Sequence, residues 1–163
     1  MKHKFVLVSA SVFALSGLVS VAHATSLGDL CNQEDPITED TKVTIGGIFF
    51  ADCKIEVDNA RLEIVGVTIF IDVGDLRIDD VTEDGGAAGL VITNAEITTG
   101  DRLRIEGAWD GGVTFENNYV DTGDDLRVKP IGSGDLIFKT MGGKLSTTSA
   151  LGMSQKMIPG ITL

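Results

Sequence analysis

Histidine is nearly missing from this chain. Its 163 residues include two, His3 and His23, and both fall within the first 24. That segment also reads as one the folded protein does not keep. Lys2 and Lys4 form a short positive start, Phe5 to Val21 is apolar and uncharged, and Ala22-His23-Ala24 is a small-x-small cleavage site. This is the layout of a secretory signal peptide. The apolar run is shorter than the ~20 residues a membrane helix needs, and no cysteine follows it at the distance lipid attachment requires. The expectation is an exported protein (secreted, cell-surface or periplasmic) running from Thr25 to Leu163, with no integral membrane segment. Such a chain has no imidazole. Ser-His-Asp and Cys-His catalysis, histidine-ligated metals and simple histidine pH switches are thereby excluded.

Cysteine is scarce too. Only Cys31 and Cys53 are present. An even pair in an exported chain reads as one disulfide, worth ~3 kcal/mol in the loop-entropy picture. The pair is far from CxxC spacing, which argues against a redox or metal-thiolate site. Basic residues are outnumbered. The whole chain has 13 Lys and Arg against 24 Asp and Glu; losing two lysines with the leader leaves 11 against 24, a net −13. A field of that sign repels nucleic acid and anionic membranes, and it suits cations or basic partners. With 3 prolines and no long linker, the remainder reads as one domain.

Helical i, i+3, i+4 spacing is absent. What the chain has instead is a repeat. Gly89-Leu-Val-Ile-Thr-Asn94 falls on Gly112-Val-Thr-Phe-Glu-Asn117, and Leu103-Arg104-Ile105 falls on Leu126-Arg127-Val128, without a gap. Looser copies lie upstream. Gly47 to Asp52 looks like the same opening, Leu62-Glu63-Ile64 takes the place of Leu103 to Ile105, Gly66 to Ile69 starts another copy, and Gly74 to Ile78 restores the ending. A partial copy closes the series at Gly134 to Phe138. Apolar residues alternate within each unit, the period of a strand, and Gly, Asp, Asn and Thr separate the strands. A unit of this kind cannot bury its apolar edge alone, but stacked units can, about 4.8 Å apart. Stacking would put Ile92 on Phe115, Leu103 on Leu126 and Asn94 on Asn117. The asparagines would then either bond one another along the stack or simply suit a turn.

GLVITN and GVTFEN, each followed by a strand ending in LRI or LRV, resemble coils of right-handed parallel β-helices, as in pectate-lyase-like proteins and secreted β-helical adhesins. The resemblance covers roughly 46–140 and implies an all-β, right-handed parallel β-helix of about five coils. An antiparallel β-sandwich is the alternative, since its short strands also recur closely. The expected layout is a signal peptide at 1–24, an N-terminal cap at 25–45, repeats at 46–140, and a C-terminal cap or flexible tail at 141–163. The tail has no acid after Asp135 and carries Met141, Met153 and Met157. Ser149 to Met157 could form a short capping helix.

Few residues remain for chemistry. Arg77, Arg104 and Arg127 share one position of the repeat, with Arg102 beside them, so stacking would line them up as an outward ladder. Guanidinium rows can hold acidic polysaccharide, and pectate lyases, which the coils resemble, use arginine with Ca²⁺ and need no histidine. Asp79, Glu106 and Asp125 can equally neutralise the ladder as surface pairs. Trp109 and Tyr119 are the only Trp and Tyr, suited to a sugar, a partner or packing. Asp79, Asp80, Glu83 and Asp84 form an acidic loop that could take Ca²⁺, although it matches no calcium-binding motif and a solvated turn is commoner. The function expected is a noncatalytic surface, matrix or interaction protein, able to self-associate and carrying no cofactor except, at most, Ca²⁺. The alternative is an acidic-polysaccharide binding or lyase-like module.

Overall fold

Alternating apolar residues between Gly-, Asp- and Asn-rich turns fold here as short strands. The computed structural model describes residues 24–83, 86–130, 132–143, 148–150 and 155–157. The leader expected at 1–24 lies, except for Ala24, outside them. The chain starts with β1 (Ala24–Ser26) and a four-residue helix, α1 (Leu27–Leu30). The first full coil is β2 (Thr41–Ile45), β3 (Gly47–Phe49) and β4 (Cys53–Val57). The second is β5 (Arg61–Val65), β6 (Thr68–Ile71) and β7 (Leu76–Asp80). The third is β8 (Gly89–Thr93), β9 (Glu96–Thr99) and β10 (Leu103–Gly107). In the fourth, β11 (Val113–Thr122) covers two of these positions and β12 (Leu126–Pro130) the third. β13 (Leu136–Gly142), β14 (Thr148–Ala150) and β15 (Gln155–Met157) continue the stack.

The strand ladders are parallel, each strand beside its counterpart in the next coil. The protein is therefore a parallel β-solenoid of about five turns, and the antiparallel sandwich is excluded. It has three walls. Wall A is β2, β5, β8, the first half of β11, and β13; wall B is β3, β6, β9 and the second half of β11; wall C is β4, β7, β10, β12 and β14.

Inward residues stack like on like, as the repeat predicts. Leu76, Leu103 and Leu126 form one buried column of wall C, and Ile78, Ile105 and Val128 the next. Ile92 lies beside Phe115 on wall A, and the Phe115 ring stacks on Phe138 with centroids 5.1 Å apart. Each such side chain contributes ~1.5–3 kcal/mol by leaving water.

From the second coil on, a left-handed residue takes the corner between walls A and B, whereas the first coil turns at Gly46 without one. Gly66 (φ 65°), Asn94 (52°), Asn117 (54°) and Thr140 (47°) hold it in successive coils. Glycine and asparagine reach this region at least cost. Asn117 Nδ2 also donates to Asn94 Oδ1 at 2.6 Å, so these asparagines serve both the turn and the stack. The neighbouring Asn118 faces inward. Its Oδ1 accepts the Ala95 N–H and its Nδ2 donates to the Ile92 carbonyl, satisfying two buried backbone groups of the coil below.

The upstream copies differ in phase from the sequence alignment. Leu62-Glu63-Ile64 lies beside Leu90-Val91-Ile92 on wall A, not in the Leu103 column of wall C. Gly47 to Phe49 stacks beneath Ile69 to Ile71 on wall B rather than opening a coil. Leu136-Ile137-Phe138 likewise joins wall A beside Val113-Thr114-Phe115. All three walls carry the same apolar-x-apolar pattern, so alternation cannot tell them apart.

The ends differ as well. Stacking begins before Gly46, because β1 and β2 already pair in parallel. α1 buries Leu27 and Leu30 at that end, with Ser26 Oγ accepting the Gly28 N–H as its N-cap. Cys31 and Cys53 form the expected disulfide, one coil apart with Cα atoms 4.9 Å from each other. At the other end, strands β14 and β15 stand where a capping helix over Ser149 to Met157 was expected.

Candidate functional site

The arginine ladder forms. Lys54, Arg77, Arg104 and Arg127 lie side by side in one column of wall C. Period-two alternation places Glu56, Asp79, Glu106 and Lys129 in the neighbouring outward column. Cations and carboxylates thus face each other across a single strand repeat. Lys54 pairs with Glu56, and Arg77 Nε lies 2.7 Å from Asp79 Oδ2. Glu106 is the hub of the lattice. Its carboxylate takes Arg104 at 3.1 Å, Arg77 at 3.5 Å and Arg127 at 3.8 Å. From the turn preceding the wall, Asp75 accepts the Arg102 N–H at 3.0 Å and pairs with Arg104 at 3.5 Å. Arg102 bonds Asp124 at 2.9 Å, with Asp125 at 3.6 Å.

Protonation states follow this pairing. The hydrogen bond to Asp79 raises the Arg77 guanidinium above its usual value, and the one to Asp124 does the same for Arg102. Partial burial alone would raise the Glu106 carboxyl. The hydrogen bond from Arg104 and the charges of Arg104, Arg77 and Arg127 outweigh it and hold Glu106 below the ordinary carboxylate range. Asp110, which accepts the Ser133 N–H and hydroxyl, is lowered by those two bonds.

Neutralisation weakens toward the C-terminal end. Arg127 has only the shared Glu106 at 3.8 Å, and Lys129 has no ion pair among the described residues.

Trp109 does not join the ladder's surface. Its ring is wholly buried, and its indole N–H donates to the Glu106 carbonyl at 2.9 Å. It packs the turn between coils rather than facing a ligand. Tyr119 is half exposed, but it stands on wall B, on a different face from the arginines.

Among the described residues, the acidic loop's carboxylates do not gather. Alternation along β7 turns Asp79 outward to Arg77, whereas Asp80, also buried, accepts the Thr82 N–H at 2.8 Å. Glu83 is exposed, and Asp84 lies outside the described residues. The loop is fastened to the turn below: Asn59 donates its N–H to Thr82 Oγ1, and its Oδ1 accepts the Ala87 N–H. Among the described residues, no group of three or more His, Cys, Asp or Glu side chains is placed to hold a metal ion.

Sequence reasoning missed a surface on wall B. Ile48, Phe50, Phe70 and Val73 are exposed by 67, 78, 39 and 63%, and Ile48 lies directly beside Phe70. The available signal was the doublet Phe49-Phe50: alternation can bury only one of two adjacent residues, and Phe49 is the one packed against the core. No family model matches the chain, no curated protein matches it, and no solved structure matches it.

Proposed function

We propose that this is an exported, noncatalytic interaction or matrix protein whose solenoid walls serve as contact surfaces. The observation that carries this reading is the closed charge lattice of wall C. The arginines that could have acted on a substrate are engaged by Asp75, Asp79, Glu106 and Asp124 of the same protein. With Trp109 buried, the ladder also has no aromatic platform beside it among the described residues. Each coil's polar residues serve the next coil, which makes a rigid wall rather than a reactive cleft. A solenoid also ends in strand edges, and these can template association. The test is sedimentation of the mature chain with and without Gly142 to Leu163, over a wide concentration range. Concentration-dependent assembly that the truncation weakens is the expected result. A monomer at every concentration, unaffected by truncation, would remove self-association.

One observation favours a second reading. Arg127 has one distant carboxylate, Glu106, and Lys129 has no ion pair among the described residues, so the C-terminal end of wall C has cationic capacity to spare. That suits weak binding of acidic polysaccharide. Binding of polygalacturonate that Arg127→Ala with Lys129→Ala leaves unchanged would eliminate this site, and unchanged binding after chelation would eliminate a part for Ca²⁺.

A further inference from the structure

We infer that the N-terminal half of wall B is a docking site for a segment that presents large apolar side chains next to lysines or arginines. This rests on the reading of the protein as an interaction scaffold and names the partner's chemistry. Ile48 and Phe70 are neighbours in one outward column, with Phe50 and Val73 at the adjoining turn. None of the four is needed by the core, which takes the alternate residues Phe49, Ile69 and Ile71. Farther along the same wall the outward residues are Glu96, Thr98, Tyr119 and Asp121. The apolar strip is therefore local to two coils. Contiguous apolar surface on a rigid wall marks a place where another molecule sits.

Charge selects the occupant. Exposed Asp52, Asp72 and Asp101 border the strip at the turn, and Glu96 stands on the wall itself. Among the described residues, the base on this wall and its turn is Arg102, which is bound to Asp124. Wall C matches cation to carboxylate, while here the carboxylates go unmatched. A second copy docking strip to strip would bring the same carboxylates together in a chain of net charge −11. A cationic segment is drawn to them instead. Apolar side chains at alternate positions of an extended segment fit the spacing of the wall, with strands ~4.8 Å apart and side chains on one face two residues apart.

The probe is a short, labelled peptide of alternating leucine and lysine, tested against the whole mature chain by fluorescence anisotropy. Serine–lysine and leucine–glutamate peptides serve as controls. The expected result is saturable binding of the leucine–lysine peptide, weakened at least tenfold by Ile48→Ser with Phe70→Ser. Glu63→Gln with Glu116→Gln on wall A should leave binding unchanged. Phe50→Ser, in the turn, gives a second variant should the double one fail to fold. Equal binding of the serine–lysine peptide, or no loss in the serine variants, would show attraction by charge alone and overturn the proposal. Equal binding of the leucine–glutamate peptide would overturn the charge selection. Should sedimentation reveal a dimer that the serine variants dissociate, the occupant is a second copy. The cationic partner then falls while the interaction scaffold stands.

Discussion

Walls B and C are made by the same means and meet solvent in opposite ways. Both alternate inward and outward residues, and both stack in parallel register from coil to coil. In β4, β7 and β10, wall C fills its outward positions with opposite charges two residues apart, so these strands answer their own cations; β12, with Arg127 and Lys129, departs from this. Wall B sets Ile48 and Phe70 at one end of its outward positions and Glu96 and Asp121 at the other, and the described residues of the wall supply no cation to match them. A wall that satisfies itself is a structural surface. A wall that leaves apolar and acidic groups unmatched has something left for a partner.

The deepest cut into this comparison is Trp109→Ala. The buried ring ties the turn after β10 to the Glu106 carbonyl. Its loss should cost ~3–5 kcal/mol in chemical denaturation, with amide exchange rising first at the C-terminal end of wall C. A change confined to wall B would break the assignment.

Next is a stabilising change inside wall B. The Thr99 and Thr122 hydroxyls are buried, stacked in one column, and have no hydrogen-bond partner among the described residues. Thr99→Val with Thr122→Val should raise stability by ~1–2 kcal/mol, because an unsatisfied buried hydroxyl costs about 1–3. A lower denaturation midpoint would mean that the hydroxyls are bonded after all.

Glu106→Gln tests the hub of wall C. A loss of ~1 kcal/mol at neutral pH is expected, in keeping with a partly exposed cluster rather than a fully buried one. The folded carboxyl is depressed, so its contribution is complete above the ordinary glutamate value and fades as pH falls through the folded one. The gap between parent and variant should thus hold above about pH 5 and close on further acidification. A gap that widens in acid would contradict the pairing. High salt should narrow it at neutral pH.

The smallest effect is the most telling for wall B. Ile48→Ser with Phe70→Ser should alter stability by no more than ~0.5 kcal/mol per site. A large loss would mean that the strip serves the fold and is not held in reserve for a partner.

Much of this was legible in the chain. The gapless copy from Gly89 to Lys129 led to stacked parallel coils, and the Leu103, Arg104 and Ile105 columns stand as aligned. The cysteine pair led to the one disulfide, Cys31 to Cys53. The acids near the arginines were visible as possible neutralisers. What was not legible shares one cause. Asp79 and Asp80 look like one acidic cluster, yet adjacent residues of a strand point to opposite faces. Trp109 suits a sugar, a partner or packing alike in the sequence, and stacking of the coils buries its ring, so packing is the outcome.

By itself the sequence determined the period, the strands, and the column each residue joins within the best copies. These depend on neighbours along the chain and on a regular spacing. The tertiary structure alone decided which wall the irregular coils belong to, which carboxylate meets which guanidinium, and which of two adjacent phenylalanines faces water. Those depend on how far round the axis each strand has turned before it meets the coil below, a turn that the second to fourth coils make at the left-handed residues Gly66, Asn94 and Asn117.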